Sequence, residues 1–365
     1  MTLGRIEKLR AALAEKEIDG FITSQPENRR YLTGFVGTAG WAIVTRDEAL
    51  LATDFRYTEQ ATAQAPTFRV VEIKGGLPQW LPQVMDLLGG ALQGKRLAFE
   101  GEHLSYALWQ SFARTLGERV ELAPVVGLVE SLRMFKEPEE LALMQEAVRV
   151  TDEAMARVIP TIQPGQTERQ IAWTLEVAMR ELGAEGLSFD TIVAAGPNAA
   201  MAHHRPDDTP IQRGQTIVID MGCKVNGYCS DQTRTVYIGP QDEQFQLLYD
   251  LTLGAQLTAI ETIAPGLTGA EGDSLARTVI QDAGYGERFG HGLGHGSGLA
   301  VHEEPRVTMG SQQVLKESMV FSIEPGIYVP GWGGIRIEDL VVMEKGGARS
   351  LSRAPKTPDW EGALR

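Results

Sequence analysis

The stretch Ile219-Asp220-Met221-Gly222-Cys223-Lys224-Val225-Asn226-Gly227-Tyr228-Cys229-Ser230-Asp231-Gln232-Thr233-Arg234-Thr235 has a turn signal at its centre and an acid on either side. Asn-Gly between alternating residues predicts a two-residue hairpin, because a type I′ turn needs positive φ at both central positions. Val225 then faces Tyr228 and Gly222 faces Asp231. Period two puts Asp220 and Asp231 on one face as diagonal neighbours. Two like charges so placed repel, and a bound cation would remove that cost. Cys223 and Cys229 fall on opposite faces in this register, which argues against a disulfide between them.

Further along, Phe289-Gly290-His291-Gly292-Leu293-Gly294-His295-Gly296-Ser297-Gly298 carries glycine at every second position from 290. At ~1 kcal/mol per glycine a helix is excluded, so His291 and His295 are not a helical pair. In an extended chain positions i and i+4 share a face, and bare glycines let the backbone approach a ligand closely. No G-x-G-x-x-G register fits a dinucleotide. His302-Glu303-Glu304-Pro305 lacks the second histidine of the helical zinc-protease motif. Three histidines within residues 291–302 still point to a site, and five of the chain's six histidines lie between His203 and His302.

A third segment runs Phe321-Ser322-Ile323-Glu324-Pro325-Gly326, a Gly- and Pro-rich loop, then Gly334-Ile335-Arg336-Ile337-Glu338-Asp339. Isoleucines alternate with Ser322, Glu324, Arg336 and Glu338, so the polar side chains point one way while the isoleucines pack. Inward polar groups need partners, and Arg336 alone leaves an excess of acid. The resulting constellation is Asp220, Asp231, His295, Glu324 and Glu338. Hard oxygen ligands with one nitrogen suit Mn²⁺, Co²⁺ or Zn²⁺. Four acids overcharge one ion, whereas two ions bridged by carboxylates balance better, as in two-metal hydrolytic sites.

The wider chain is consistent with a two-domain enzyme. At 365 residues it suggests about two domains. Lys plus Arg is 34 and Asp plus Glu is 48, a net charge of −14, which argues against a nucleic-acid partner. No apolar run reaches the ~18 residues of a membrane span, and the charged N-terminus does not read as a signal peptide. Two cysteines make no disulfide framework, so a reducing, cytoplasmic location is expected.

Residues 1–130 alternate helices (Arg5 to Lys16, Gln79 to Leu88) with strands (around Phe21, Ala42 to Val44, Leu50 to Ala52, Arg96 to Phe99), the pattern of an α/β domain. Gly89 to Arg96 resembles a phosphate loop but has Arg96 where a hydroxyl belongs and follows a helix, so it reads as a turn. A second unit, residues 131–365, repeats itself. Pro164-Gly165-Gln166-Thr167 recurs as Pro265-Gly266-Leu267-Thr268, Gly183 as Gly284, His203 and Pro206 as His302 and Pro305, and Ile219 to Gly222 as Ile323 to Gly326. Two halves of helix, helix, then strands are expected, closing on a shared site. Thr167 and Gln170 form a capping box in the first.

These residues resemble the M24-type metallopeptidase family that includes methionine aminopeptidase, prolidase and aminopeptidase P. Its D-x-G and S-D-x-T-R-T blocks match Asp220 to Gly222 and Ser230 to Thr235. Its H-G-x-G-H-G-x-G-x-x-x-H-E block matches His291 to Glu303. Its E-P-G-I-Y and R-I-E-D blocks match Glu324 to Tyr328 and Arg336 to Asp339. The resemblance implies an α/β N-terminal domain of the creatinase/prolidase type, with a mixed sheet and flanking helices. An α+β "pita-bread" catalytic domain with a pseudo-twofold repeat would follow. It implies two divalent ions per subunit, Mn²⁺ first and Co²⁺ or Zn²⁺ as alternatives, held by Asp220, Asp231, His295, Glu324 and Glu338. Glu324 would also relay a proton. His203 would take the substrate-binding histidine position, although Ala202 stands where relatives have Pro, which leaves His204 as a contender. His291 and His302 would polarise the scissile carbonyl.

The leader, with Tyr31-Leu32-Thr33-Gly34 and Asp54-Phe55-Arg56-Tyr57, together with Arg336, resembles the proline-specific branch. Short proline-containing peptides are then the substrates and a homodimer the expected assembly. The compact length and the tail Arg353-Ala354-Pro355-Lys356 lean towards aminopeptidase P, which releases the first residue of Xaa-Pro peptides. A prolidase restricted to Xaa-Pro dipeptides is the near alternative. A non-catalytic scaffold on the same fold is the distant one. Whether Asp54 to Tyr57 reaches a neighbour's active site stays open.

Overall fold

The computed structural model describes residues 2–90 and 92–360. The chain divides into two compact units, Met1–Arg133 and Met134–Arg365. In the first, a six-stranded mixed sheet is built from Gly20–Thr23, Trp41–Thr45, Ala49–Thr53, Arg69–Glu72, Lys95–Glu100 and Val120–Val125. The first three strands pair antiparallel and the other pairings are parallel. Apolar residues of the helices Leu77–Leu87 and Tyr106–Leu116, among them Trp80, Leu81 and Phe112, join Ile22, Ile43 and Leu97 of the sheet in one core. Gly89, Gly90 and Gly94 all take positive φ in turns after a helix, as a turn reading requires; Ala91 between them lies outside the described residues.

The second unit repeats its plan. Helices Pro138–Val158 and Glu168–Glu181 precede one set of strands, and Glu243–Thr262 and Gly269–Asp282 precede another. Capping boxes open the second helix of each half, at Thr167 with Gln170 and at Thr268 with Glu271. Each capping threonine also forms an antiparallel bridge, Thr167 to Pro210 and Thr268 to Val314. Each half buries its own core: Met155, Leu175, Ile217 and Ile219 in one, Phe245, Ile323, Ile327, Ile335 and Ile337 in the other. This is the two-lobed α+β plan implied by the family resemblance. Among the described residues no helix is long and apolar enough to cross a membrane.

The hairpin keeps its expected register, with Val225 opposite Tyr228 and Asp220 opposite Thr233, and Asn226 and Gly227 both at positive φ. It is not one continuous ladder. Thr216–Met221 and Gln232–Tyr237 belong to one sheet, while Cys223–Val225 and Tyr228–Cys229 belong to another. The break falls at Gly222, where a Cβ would collide with the Ser230 carbonyl oxygen. Asp231 lies beside this break, outside both strands.

The glycine run makes room for neighbouring backbone. Only Gly294–Gly296 is strand, with a register shift after His295. A Cβ at Gly294 would fall on the Ser322 carbonyl and one at Gly296 on the Glu304 carbonyl, whereas Gly290 has open space. The two bare positions therefore admit neighbouring backbone. Gly294→Ala should cost about 1–3 kcal/mol by overpacking, while Gly290→Ala should stay within about 0.5 kcal/mol. Urea unfolding measures both, and equal losses would contradict the strand-contact account.

Candidate metal centre and active site

A cavity of about 490 Å³ in the second unit is lined by residues of both halves, including Phe189, His203, His204, Asp220 and Asp231 from the first and His291, His295, His302, Arg306, Glu324, Arg336 and Glu338 from the second. Every site residue expected from the sequence reaches it.

Four of these carboxylates and one imidazole crowd together. Asp231, His295 and Glu338 present ligand atoms within 4.8 Å of one another. His295 Nε2 stands 3.5 Å from Asp231 and 3.3 Å from Glu324. Its Nδ1 lies 3.1 Å from the Gly296 carbonyl, so that nitrogen donates there and Nε2 faces the acids, with a proton now and with a lone pair once a cation takes the proton's place. This is the usual outer support of a metal-bound histidine. Asp220 is held through one oxygen by Arg336 Nη2 at 2.7 Å, and its buried Oδ1 has no hydrogen-bond partner among the described residues. Thr233 donates to Glu338 Oε2 at 2.7 Å and Ser322 to Glu324 Oε1 at 2.9 Å.

The electrostatics report a missing positive charge. Burial pushes the Asp231 carboxyl well above the usual carboxylate range, and the charges of Glu338, Asp220 and Glu324 push it further. Burial, then Glu324 and Asp220, do the same to Glu338. Burial raises Asp220 despite Arg336. Glu324 is the exception: burial pushes it up, but the His295 hydrogen bond and charge outweigh this and hold it near 2. An orphaned carboxylate oxygen, mutual repulsion in a dry pocket and a correctly polarised histidine together fit a pair of hard divalent cations.

A second acid–histidine group, Glu168, His204 and Asp207, differs in kind. Both Glu168 oxygens already accept N–H donors: Ala195 N and Asn198 Nδ2 on one, His204 Nε2 and Asp207 N on the other. His204 is thereby turned into the protein, with 9% of its side chain exposed, while His203 is exposed at the cavity.

The remaining histidines are not equivalent either. His291 Nδ1 donates to the Gly292 carbonyl at 2.8 Å, leaving Nε2 to accept from the Tyr328 hydroxyl at 3.0 Å. Arg336 Nη1 donates to that same hydroxyl at 2.9 Å. Both nitrogens of His291 are thus engaged, and contact with a carbonyl would require exchange of the Tyr328 bond. The loop carrying His291 is gripped by Arg277, which is paired with Asp273 and donates to the carbonyls of Phe289 and His291. His302 packs edge-on to His295 at 4.3 Å, and burial, followed by the His295 charge, holds it down at about 4. It is therefore a neutral imidazole at physiological pH.

Sequence reading passed over Tyr328, Thr233 and Arg306. Thr233 was within reach, since it follows Asp231 by two and so shares its face. Tyr328 closes the E-P-G-I-Y block, but its bonds to His291 and Arg336 could not be read from it, and Arg306 belongs to none of the motif blocks.

Residues 142–345 match the model of metallopeptidase family M24, and residues 5–135 match the creatinase/prolidase N-terminal domain. The chain belongs to metallopeptidase family M24. It is 36% identical over 353 residues to an Xaa-Pro dipeptidase of Pyrococcus furiosus, covering 96% of this chain and 98% of that one. Among solved structures, an Xaa-Pro dipeptidase from Bacillus anthracis superposes with a TM-score of 0.94 at 38% identity, covering 98% of this chain and 99% of the other. An X-Pro aminopeptidase from Thermotoga maritima gives 0.88 at 35%, covering 96% and 98%. These relatives place the chain in the proline-specific branch of the family, and it is a metal-dependent peptidase.

Removing bound metal should therefore destabilise the second unit. Each ion at a hundredfold excess over its Kd contributes about 2.7 kcal/mol, so chelator dialysis should lower the thermal midpoint and Mn²⁺ should restore it. A midpoint indifferent to chelator and Mn²⁺ would contradict the metal reading.

Proposed function

We propose that the chain is an Xaa-Pro dipeptidase: it cleaves the amide between a first residue and a C-terminal proline. The observation that carries this reading is Arg306. It is an exposed cation on the cavity wall, opposite His295 in the strand ladder, and its one ion pair among the described residues is a loose 3.8 Å contact with Glu304. A dipeptide presents its free carboxylate one residue beyond the cleaved bond, where a guanidinium can accept it in a fork. A longer peptide presents a neutral amide there. The compact length leaned towards aminopeptidase P, but the dipeptidases of B. anthracis and P. furiosus are covered over 99% and 98% of their own length, so length does not separate the two activities. The T. maritima relative keeps the aminopeptidase reading as the second possibility.

Two divalent ions bound by Asp220, Asp231, His295, Glu324 and Glu338 would supply Lewis acidity and a water acidic enough to attack at neutral pH. Mn²⁺ is the first choice for an oxygen-rich donor set. The chain's own residues do the rest. Glu324 takes the proton of the attacking water and delivers it to the prolyl nitrogen, a tertiary amide that needs it to leave. The His295 contact that holds Glu324 low is the one a cation on Nε2 would replace. His302, neutral and unpaired with acid, donates to the carbonyl oxygen as charge develops there. His203 faces the substrate from the other lobe. Arg336 orients Asp220 and, through Tyr328, His291.

The proposal includes a homodimer, carried by the family resemblance, and a reducing cytoplasmic setting, which the two free cysteines suit. A monomeric mass at micromolar concentration would remove the first part, and export from the producing cell the second.

With Mn²⁺ present, Ala-Pro should be cleaved and Ala-Pro-Ala should not. Arg306→Ala should raise KM for Ala-Pro about tenfold to a hundredfold, the range for losing a charge-assisted hydrogen bond. Faster cleavage of Ala-Pro-Ala, insensitive to Arg306→Ala, would return the assignment to aminopeptidase P.

A further inference from the structure

We propose that Glu168 and His204 are positioning residues that hold His203 towards the substrate, an inference that rests on the reading of His203 as substrate-facing. Glu168 is the first residue of the helix Glu168–Glu181 and is fully buried. Its Oε1 accepts from Ala195 N at 2.7 Å and Asn198 Nδ2 at 3.0 Å. Its Oε2 accepts from His204 Nε2 at 2.7 Å and Asp207 N at 3.2 Å. Four donors converging on one side chain require a group that only accepts, which an ionised carboxylate is and an amide is not.

Those donors bracket His203. Immediately before it, the Ala202 carbonyl accepts from Arg336 Nη1 at 3.2 Å, and the same guanidinium holds Asp220. Immediately after it, the His204 ring is fixed on Glu168. Both flanking residues are thus tied to the protein, while the His203 side chain makes no hydrogen bond among the described residues and lines the cavity. One flank reports to the carboxylate cluster and the other to the start of a helix, so the ring between them is set relative to that cluster. The double histidine then divides its labour: His204 is the anchor and His203 the working group.

Glu168→Gln preserves shape, but whichever way the amide turns, its NH₂ meets two N–H donors. In Mn²⁺-loaded protein it should raise KM for Ala-Pro about tenfold, the cost of one misplaced contact, with kcat less affected and Mn²⁺ content unchanged. His203→Ala should raise KM by a comparable factor, and the double variant should be no worse than His203→Ala alone, because coupled residues are non-additive. His204→Gln, which keeps an N–H near the place of Nε2, should recover most of what His204→Ala loses. Hydrogen exchange gives a readout independent of turnover: in Glu168→Gln, protection should fall at the amides of Ala195 and Asp207 and hold elsewhere.

Multiplying effects in the double variant, or unchanged exchange at those amides, would overturn the positioning role while leaving the dipeptidase reading in place. If wild-type protein fails to cleave Ala-Pro, the dipeptidase reading falls. The exchange measurement still decides whether Glu168 holds the segment.

Discussion

Four carboxylates share a pocket too dry to screen them. Asp220, Asp231 and Glu338 are each less than a tenth exposed, and Glu324 is only slightly more so. A folded chain cannot keep such a cluster ionised without a compensating cation, since desolvation and like charge act in the same direction. The chain's own cations fall short. Arg336 spends itself on one oxygen of Asp220, and Arg234 is fully buried behind the site on Asp339 and the Glu338 carbonyl. The unit therefore tolerates its active site by leaving positive charge to be supplied from outside.

Both lobes are organised around that cluster. The first contributes Asp220 and Asp231 from a hairpin that breaks at Gly222, and the second contributes His295 from the strand Gly294–Gly296, with Glu324 just after the strand Val320–Ile323 and Glu338 just before the strand Asp339–Glu344. Each lobe also grips a histidine-bearing loop from its second helix with buried charge, through Glu168 in one and the Asp273–Arg277 pair in the other. Repetition of sequence thus becomes repetition of mechanical design, although the anchoring residues are not at equivalent positions of the repeat.

Much of this was legible before any coordinates. The register of the hairpin followed from two residues, Asn226 and Gly227, because turn chemistry and period two are local rules. The inward placing of Glu324 and Glu338 followed from their alternation with isoleucines that pack into one core. What could not be read were effects that depend on a partner far along the chain. The break at Gly222 needs the Ser230 carbonyl across the ladder. The glycines at 294 and 296 make room for the carbonyls of Ser322 and Glu304. His291 looked equivalent to His302 until Tyr328 took its free nitrogen. Arg306, which tips the substrate reading from longer peptides to dipeptides, has no periodicity or motif to advertise it.

The account stands on the claim that the acid cluster exists to hold two ions. Native mass spectrometry of protein purified and then equilibrated with Mn²⁺ tests this directly, alongside a variant in which Asp231 and Glu338 are both replaced by the corresponding amides. The account predicts two ions per wild-type chain and fewer than two in the variant. Wild-type protein that takes up no Mn²⁺, or takes up the same number as the variant, would contradict it.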